Sequence, residues 1–286
     1  IMNFLIVGAG YTGLSVLKSL PEGSAAYISR SKKNTLSSIY HIIDLDSCAS
    51  NSIQISSPYA LLYTVPPDPN KQKDDRLTHL LEIISPKPDR IVYLSSTGVY
   101  GDQKGCLVSE NQLPKPETNR AKKRLQAEIY LENWCNKYKI KLVILRVSGI
   151  YGPNRLGLEK LEKEYSIINE DEDKPSNRIH IRDLTNCCIA ALTEKNASGI
   201  YNISDGDFRS NSWFVKTICK LKGINQPREI SHEEALKTWN KSRVSFLTES
   251  RRLDTKKLNK ELKVKLLYKN PLEGIKASLI NQNKDN

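Results

Sequence analysis

The sequence is poor in the patterns that hold metals or cross-link chains. Its six cysteines (Cys48, Cys106, Cys135, Cys187, Cys188 and Cys219) contain no C-x-x-C spacing, and its four histidines (His41, His79, His180 and His232) contain no H-x-x-x-H pair. No metal ligand set is expected on those spacings, and the thiols are too sparse for a disulfide framework. The adjacent pair Cys187–Cys188 reads as small apolar filler on a buried helix face in preference to a redox switch. No uninterrupted apolar run approaches the roughly 18–20 residues of a membrane helix. A secretory leader is not visible either, because the short run holding Leu5 and Val7 meets glycines at once. Internal repeats and low-complexity stretches are also missing. With 38% hydrophobic and 27% charged residues, the expectation is a folded protein of the cytoplasm, or of another reducing soluble compartment, with no membrane partner.

What is present is enough chain for a large core. At roughly 100–200 residues per domain, 286 residues make one large domain or two modest ones. The net charge of +12 is uneven, since residues 209–286 carry 18 basic against 8 acidic side chains. That quarter differs in character from the rest and points to an anionic partner or to simple solubility. Short apolar runs at Asn3–Val7, Ala25–Arg30, Tyr40–Leu45, Tyr59–Val65, Arg90–Ser95 and Lys141–Val147 predict strands. Between them Leu14, Val16, Leu17 and Leu20, then Leu77, Leu80, Leu81 and Ile84, then Thr118–Tyr138 follow helical spacing. Alternating strands and helices with fully apolar strands imply a parallel sheet covered on both faces. Beyond residue 150 the pattern loosens into an acidic loop at 170–174, a helix at Arg182–Leu192, a strand at Gly199–Ile203 and two or three basic amphipathic helices separated by Pro227 and Pro271. The expected division is a nucleotide-binding unit over 2–150 and a mixed region over 151–286 that forms a lid and completes the sheet.

The first strand is followed directly by Gly8-Ala-Gly-Tyr-Thr-Gly13 and then by a helix. In that context Gly8 permits a tight turn, Gly10 lets the backbone approach a pyrophosphate, and Gly13 allows close packing of helix on strand. The amides of Tyr11 and Thr12 open the helix and offer positive dipole to an anion. An NAD site usually carries an acidic residue at the end of the second strand to accept from the ribose hydroxyl. Here the chain reads Ser29-Arg-Ser-Lys-Lys33, with no acid. Arg30, assisted by Ser29 or Ser31, suits a 2′-phosphate instead, so NADP is expected in preference to NAD.

Seven collinear segments carry a resemblance to the extended short-chain dehydrogenase/reductases, the group of nucleotide-sugar epimerases and dehydratases. They are Gly8–Gly13, Asp44-Leu45, Leu94-Ser-Ser-Thr-Gly-Val-Tyr-Gly101, Leu145-Arg-Val-Ser-Gly-Ile-Tyr-Gly-Pro153, Arg178-Ile-His-Ile-Arg-Asp-Leu184, Tyr201-Asn-Ile-Ser-Asp-Gly206 and Arg252-Leu-Asp-Thr-Lys-Lys257. The resemblance implies an α/β fold, a Rossmann doubly wound parallel sheet with a smaller C-terminal substrate lid. It further implies that Asp44 meets the adenine, that Tyr63, Thr64, Val65 and Pro66 line the cofactor, and that Ser96 holds the place of the catalytic Ser/Thr. Arg178, His180 and Asp183 are then expected to be structural, pinning the segment that enters the lid.

The chain departs from that family where the chemistry matters. The family's tyrosine and lysine lie four residues apart on the long helix, with a glutamate four further on. Anchored on Glu128, those places hold Arg120 and Arg124; a shift of one gives Asn119 and Lys123. A guanidinium releases no proton at working pH, so it cannot act as the general acid/base. The chain thus resembles the atypical members that keep the fold and lose the tyrosine. Tyr100, with its pKa lowered by Lys122 or Lys123, is one candidate replacement, and a structural role at a strand end is the other. Arg120 and Arg124, with Thr97, are candidates for a substrate's carboxylate or phosphate, though 120–124 also reads as a solvated helix face. The functional expectation is an NADP(H)-dependent oxidoreductase or epimerase on a small anionic metabolite, phosphorylated or nucleotide-linked. The alternatives are a non-catalytic NADP(H) sensor and a nucleic-acid-associated relative, the latter disfavoured because the C-terminal aromatics read equally well as core. A homodimer through the long helix stays open by analogy.

Overall fold

The computed structural model describes residues 3–33, 39–47, 53–161 and 165–282; Ile1 and Cys48 lie outside them. Seven strands make the central sheet: β1 (Asn3–Val7), β2 (Ala25–Ser29), β3 (Ile39–Ile42), β4 (Tyr59–Tyr63), β5 (Arg90–Ser96), β6 (Lys141–Val147) and β7 (Gly199–Ile203). Their order is β7-β6-β5-β4-β1-β2-β3, and each neighbouring pair is parallel. Sequence order reverses between β1 and β4, which opens a crevice beyond the carboxyl ends of the strands, where open α/β sheets bind ligands. Strand β3 ends before Asp44, whose carboxylate accepts from the Asp46 amide at 3.1 Å and starts a turn.

Helices cover both faces, as continuous apolar strands require. One face carries α1 (Tyr11–Ser19) and α4 (Ile181–Thr193), packed through Val16, Leu17, Leu184, Cys187, Cys188 and Ala191 onto Ile6, Leu62 and Val92. Cys187 and Cys188 are core residues there, and burial pushes the Cys188 thiol up to about 12. The other face carries α2 (Asp75–Ile83) and α3 (Asn119–Tyr138), which bury Leu77, Leu80, Leu81, Ala127 and Leu131 on Leu5, Leu61 and Ile91. Asp74 and Thr118 cap these two helices through Leu77 N (3.2 Å) and Ala121 N (3.2 Å).

Beneath the carboxyl end of β5 lies a buried polar network. The Arg146 guanidinium on β6 donates to both oxygens of Glu128 on α3, at 3.2 and 2.7 Å, and Ser95 donates to the same carboxylate. Arg146 also lies over the Tyr100 ring at 4.7 Å, and the Tyr100 hydroxyl donates to Asn202 on β7 at 2.7 Å.

The C-terminal part packs in smaller clusters around α5 (Asn211–Lys222), α6 (His232–Thr238), α7 (Lys241–Thr248) and α8 (Pro271–Ile280). Pro271, expected to separate helices, stands between α7 and α8 as the first residue of α8, because the first turn has no intrahelical use for its amide. The segment entering this region is pinned by buried polar groups. Arg178 donates to the carbonyls of Arg209 (2.8 Å) and Ser210 (3.1 Å), and Asp183 accepts from the amides of Leu267 (2.7 Å) and Tyr268 (2.9 Å). His180 faces Ser278 Oγ at 3.2 Å, and burial lowers its pKa to about 4.

Two predictions follow from these buried charges. Glu128→Ala leaves Arg146 charged and unpaired, so chemical denaturation should show a loss of about 3–5 kcal/mol. Asp205 keeps Oδ2 without a partner, and burial pushes its carboxyl from 3.8 up to about 8. The folded chain therefore holds a proton that the unfolded chain has lost, and this contribution to stability falls as pH rises from about 4 to about 8. Comparing denaturant midpoints at pH 7 and 8 should show a smaller decline for Asp205→Asn than for the parent.

Candidate functional site

The crevice at the strand ends is a cavity of about 1620 Å³ that runs from β2 to the C-terminal helices. Its floor is the glycine turn. A Cβ on Gly13 would sit 1.9 Å from the Gly8 carbonyl oxygen, so α1 can approach β1 this closely only with glycine there. Gly8 has φ +98°, and a Cβ on it would meet Thr64 Oγ1 at 2.6 Å. Gly10 differs: nothing lies within 4 Å of its Cβ position, which leaves the turn open on the cleft side. Gly10 is also the N-cap of α1 and, having no side chain, provides no side-chain cap to the first turn. A cradle that a side chain would fill, backed by an uncapped helix start, fits a dinucleotide's phosphates.

Most sequence-predicted cofactor residues line this cavity: Gly8, Gly10, Tyr11, Thr12, Ser29, Arg30, Ser31, Asp44, Thr64, Val65 and Pro66. Their hydroxyls are not all available. Thr64 donates to the carbonyls of Val7 (3.0 Å) and Gly8 (2.8 Å), clamping the turn, and Ser29 donates to the Ser31 carbonyl. Arg30 is exposed at the end of β2 and has no ion pair among the described residues. Tyr63 does not line the cavity. Strand alternation turns it to the opposite face, where it is fully buried against Tyr93 and its hydroxyl lies 3.4 Å from Asp74. Gly13 also stays beneath the turn, in a packing position.

The opposite wall is built by β5, β6 and α3. Ser96, Thr97, Arg120, Lys123 and Arg124 all line the cavity. Ser96 Oγ caps the next turn, accepting from the Gly98 amide at 3.2 Å. Arg124 uses Nη1 for Tyr93 Oη (3.1 Å) and the Leu94 carbonyl (2.9 Å), so its remaining donors have no partner among the described residues. Arg120 lies over the Phe246 ring at 5.0 Å, joining α3 to α7.

Two expected catalytic groups are placed otherwise. Tyr100 is 0% exposed and outside the cavity, with its hydroxyl on Asn202 and its ring on Arg146. Burial also raises its pKa, the reverse of activation. Lys123 donates to the carbonyls of Asp68 (2.7 Å) and Pro69 (2.8 Å), holding the loop after β4. Its ammonium serves the fold and does not activate a phenol.

Several lining residues were not singled out by sequence reading. Ser148, 7% exposed at the end of β6, has a hydroxyl with no partner among the described residues. Arg155 and Lys160 reach the cavity from the segment after β6, and Tyr165, Trp239 and Arg243 from the C-terminal side. Arg243 is held between two rings, at 3.4 Å from Trp239 and 4.1 Å from Tyr165. Part of the C-terminal basic excess is spent in pairs: Lys216 with Glu170 and Glu229, Arg228 with Glu234, and Lys263 with Glu194. Among the described residues, no cluster of three His, Cys, Asp or Glu can hold a metal, and no helix is long and apolar enough to cross a membrane.

Comparison with known proteins agrees with this geometry. The sequence model of the NAD dependent epimerase/dehydratase family matches residues 72–204. The dTDP-D-glucose 4,6-dehydratase of Mus musculus is 22% identical over 159 residues, covering 53% of this chain and 43% of that protein. The chain thus spans less than half the length of the curated relatives it first matches. Among solved structures, a functionally unknown conserved protein from Silicibacter pomeroyi DSS superposes with a TM-score of 0.80 at 22% identity, covering 99% of this chain and 100% of the other. A UDP-glucose 4-epimerase from Thermotoga maritima, solved with UDP-glucose, gives 0.77 at 18% identity over 98% of each chain. Residues 72–204 therefore match the NAD dependent epimerase/dehydratase family model, and the chain as described shares the fold of these solved structures.

Proposed function

We propose that the cleft binds NADP(H) in preference to NAD(H), and that the protein is an oxidoreductase or epimerase acting on a small anionic substrate with non-standard catalytic residues. The observation that carries the reading is a single cavity with the glycine turn and Arg30 on one wall and Arg120 and Arg124 on the other. On this reading the first-turn amides of α1 hold the diphosphate, Arg30 with Ser31 holds the 2′-phosphate, and Asp44, Val65 and Pro66 flank the adenosine. The nicotinamide, when bound, supplies a hydride donor or acceptor at the end of β5. Ser96 and Thr97 offer hydroxyls there, and Arg120 and Arg124 offer donors to a carboxylate or phosphate. A nucleotide-linked sugar, such as the Thermotoga maritima neighbour holds, is one substrate that brings such an anion.

One observation favours a second reading, a non-catalytic NADP(H) sensor. The tyrosines lining the cleft are Tyr11 and Tyr165. The first donates its hydroxyl to the Pro153 carbonyl at 2.8 Å, and the second lies beneath Arg243. NADPH binding without turnover on any carbonyl or alcohol would select the sensor.

Calorimetry with both reduced coenzymes tests the shared premise. NADPH should bind more tightly than NADH, and Arg30→Ala should weaken NADPH by about tenfold or more while leaving NADH nearly unchanged, as loss of a charge-assisted contact predicts. Absence of binding by either coenzyme would refute the proposal. Tyr100→Phe should leave coenzyme affinity and any turnover unaltered, yet lower stability by about 1–3 kcal/mol, because Asn202 Oδ1 loses its buried donor.

A further inference from the structure

We propose that Arg155 is a clamp on the diphosphate of the bound dinucleotide, gripping it from the side opposite the glycine turn. The inference rests on the dinucleotide reading above and names a residue that reading does not use. After β6 the chain makes a short strand, Gly149–Tyr151, and then a turn pressed onto the start of α1. The Tyr11 hydroxyl donates to the Pro153 carbonyl at 2.8 Å. A Cβ on Gly152 would lie 2.6 Å from Tyr11 Oη and 2.5 Å from Ile181 Cγ2, so glycine allows the turn to seat between α1 and α4. Asn154 takes the left-handed conformation (φ 59°), and the Arg155 amide closes the turn on the Gly152 carbonyl at 3.0 Å.

This turn delivers the Arg155 guanidinium to the face of the Tyr11 ring, 5.2 Å from its centroid, on the cavity lining. Tyr11 is the first residue of α1. A cation therefore stands beside the positive end of a helix whose N-cap provides no side-chain cap. That juxtaposition is unfavourable until an anion lies between them. Arg155 has no ion pair among the described residues. Lys160, further along the segment, lines the same cavity and likewise has none. Ser148, just before the segment, lines the same cavity and carries a buried hydroxyl with no partner among the described residues, an independent unmet polar group on this wall. The planar fork of Arg155 suits two oxygens of a diphosphate. Arg30, on the far side of the turn at the end of β2, is left for the 2′-phosphate.

Three probes separate the two arginines: NADPH, ADP-ribose and adenosine 2′-monophosphate, each titrated by calorimetry. Arg155→Ala should raise the Kd for NADPH and ADP-ribose by about tenfold or more and leave adenosine 2′-monophosphate unchanged, with Arg155→Lys intermediate. Arg30→Ala should do the converse, weakening adenosine 2′-monophosphate and NADPH while sparing ADP-ribose. Arg155 is exposed, so the melting temperature of its variants should match the parent. If Arg155→Ala binds ADP-ribose and NADPH as the parent does, the clamp is refuted while the dinucleotide site stands. An equal loss for all three probes would also refute a diphosphate-specific role. A parent chain that binds none of the three overturns the dinucleotide reading, and the clamp with it.

Discussion

The interaction on which the cleft depends is the buried pair of Glu128 and Arg146. It joins α3 to β6, recruits Ser95 on β5 and, through the Tyr100 ring and hydroxyl, reaches Asn202 on β7. Burying two full charges is costly, and the pair is tolerated because Arg146 Nε and Nη2 both donate to the Glu128 carboxylate, which also accepts from Ser95. What it secures is geometry. Ser96 and Thr97 directly follow Ser95, and Arg124 lies one helical turn before Glu128, so the wall facing the dinucleotide site is fixed from behind. Lys123 extends this brace to the loop after β4.

Much of this architecture is legible in the sequence because it is local. Apolar runs of strand length, glycines at Gly8, Gly10 and Gly13, and the missing acid after Ser29 each express a constraint within a few residues. Those features placed the sheet, the turn and Arg30 without knowledge of distant neighbours. The structural roles of Arg178, His180 and Asp183 were likewise readable from the segment resemblance.

What was not legible depends on contacts far along the chain. Tyr100 looks like an available phenol until β7 brings Asn202 onto its hydroxyl. Lys123 looks like a pKa-lowering ammonium until the Asp68 and Pro69 carbonyls accept from it. Tyr63 sits at the right strand end, but alternation turns it away from the cleft. Arg155 is hidden for the reverse reason: nothing in Tyr-Gly-Pro-Asn-Arg reveals that Tyr11, at the other end of the unit, receives its guanidinium. The C-terminal part shows the same dependence. Its apolar clusters are small, and the one holding Phe214 is joined by Arg178, 4.4 Å above the ring, from a segment far earlier in the chain.

The place of β7 has a consequence for biosynthesis. Its residues 199–203 pair with β6, which ends at Val147. A ribosome must therefore deliver residues 148–198 while β6 offers an apolar border strand with unbonded amides and carbonyls to the cell. The acceptor for Tyr100 is missing over the same interval. Nascent chains stalled between these points should be the ones that need a chaperone, and release of the strand after Ser198 should end that need.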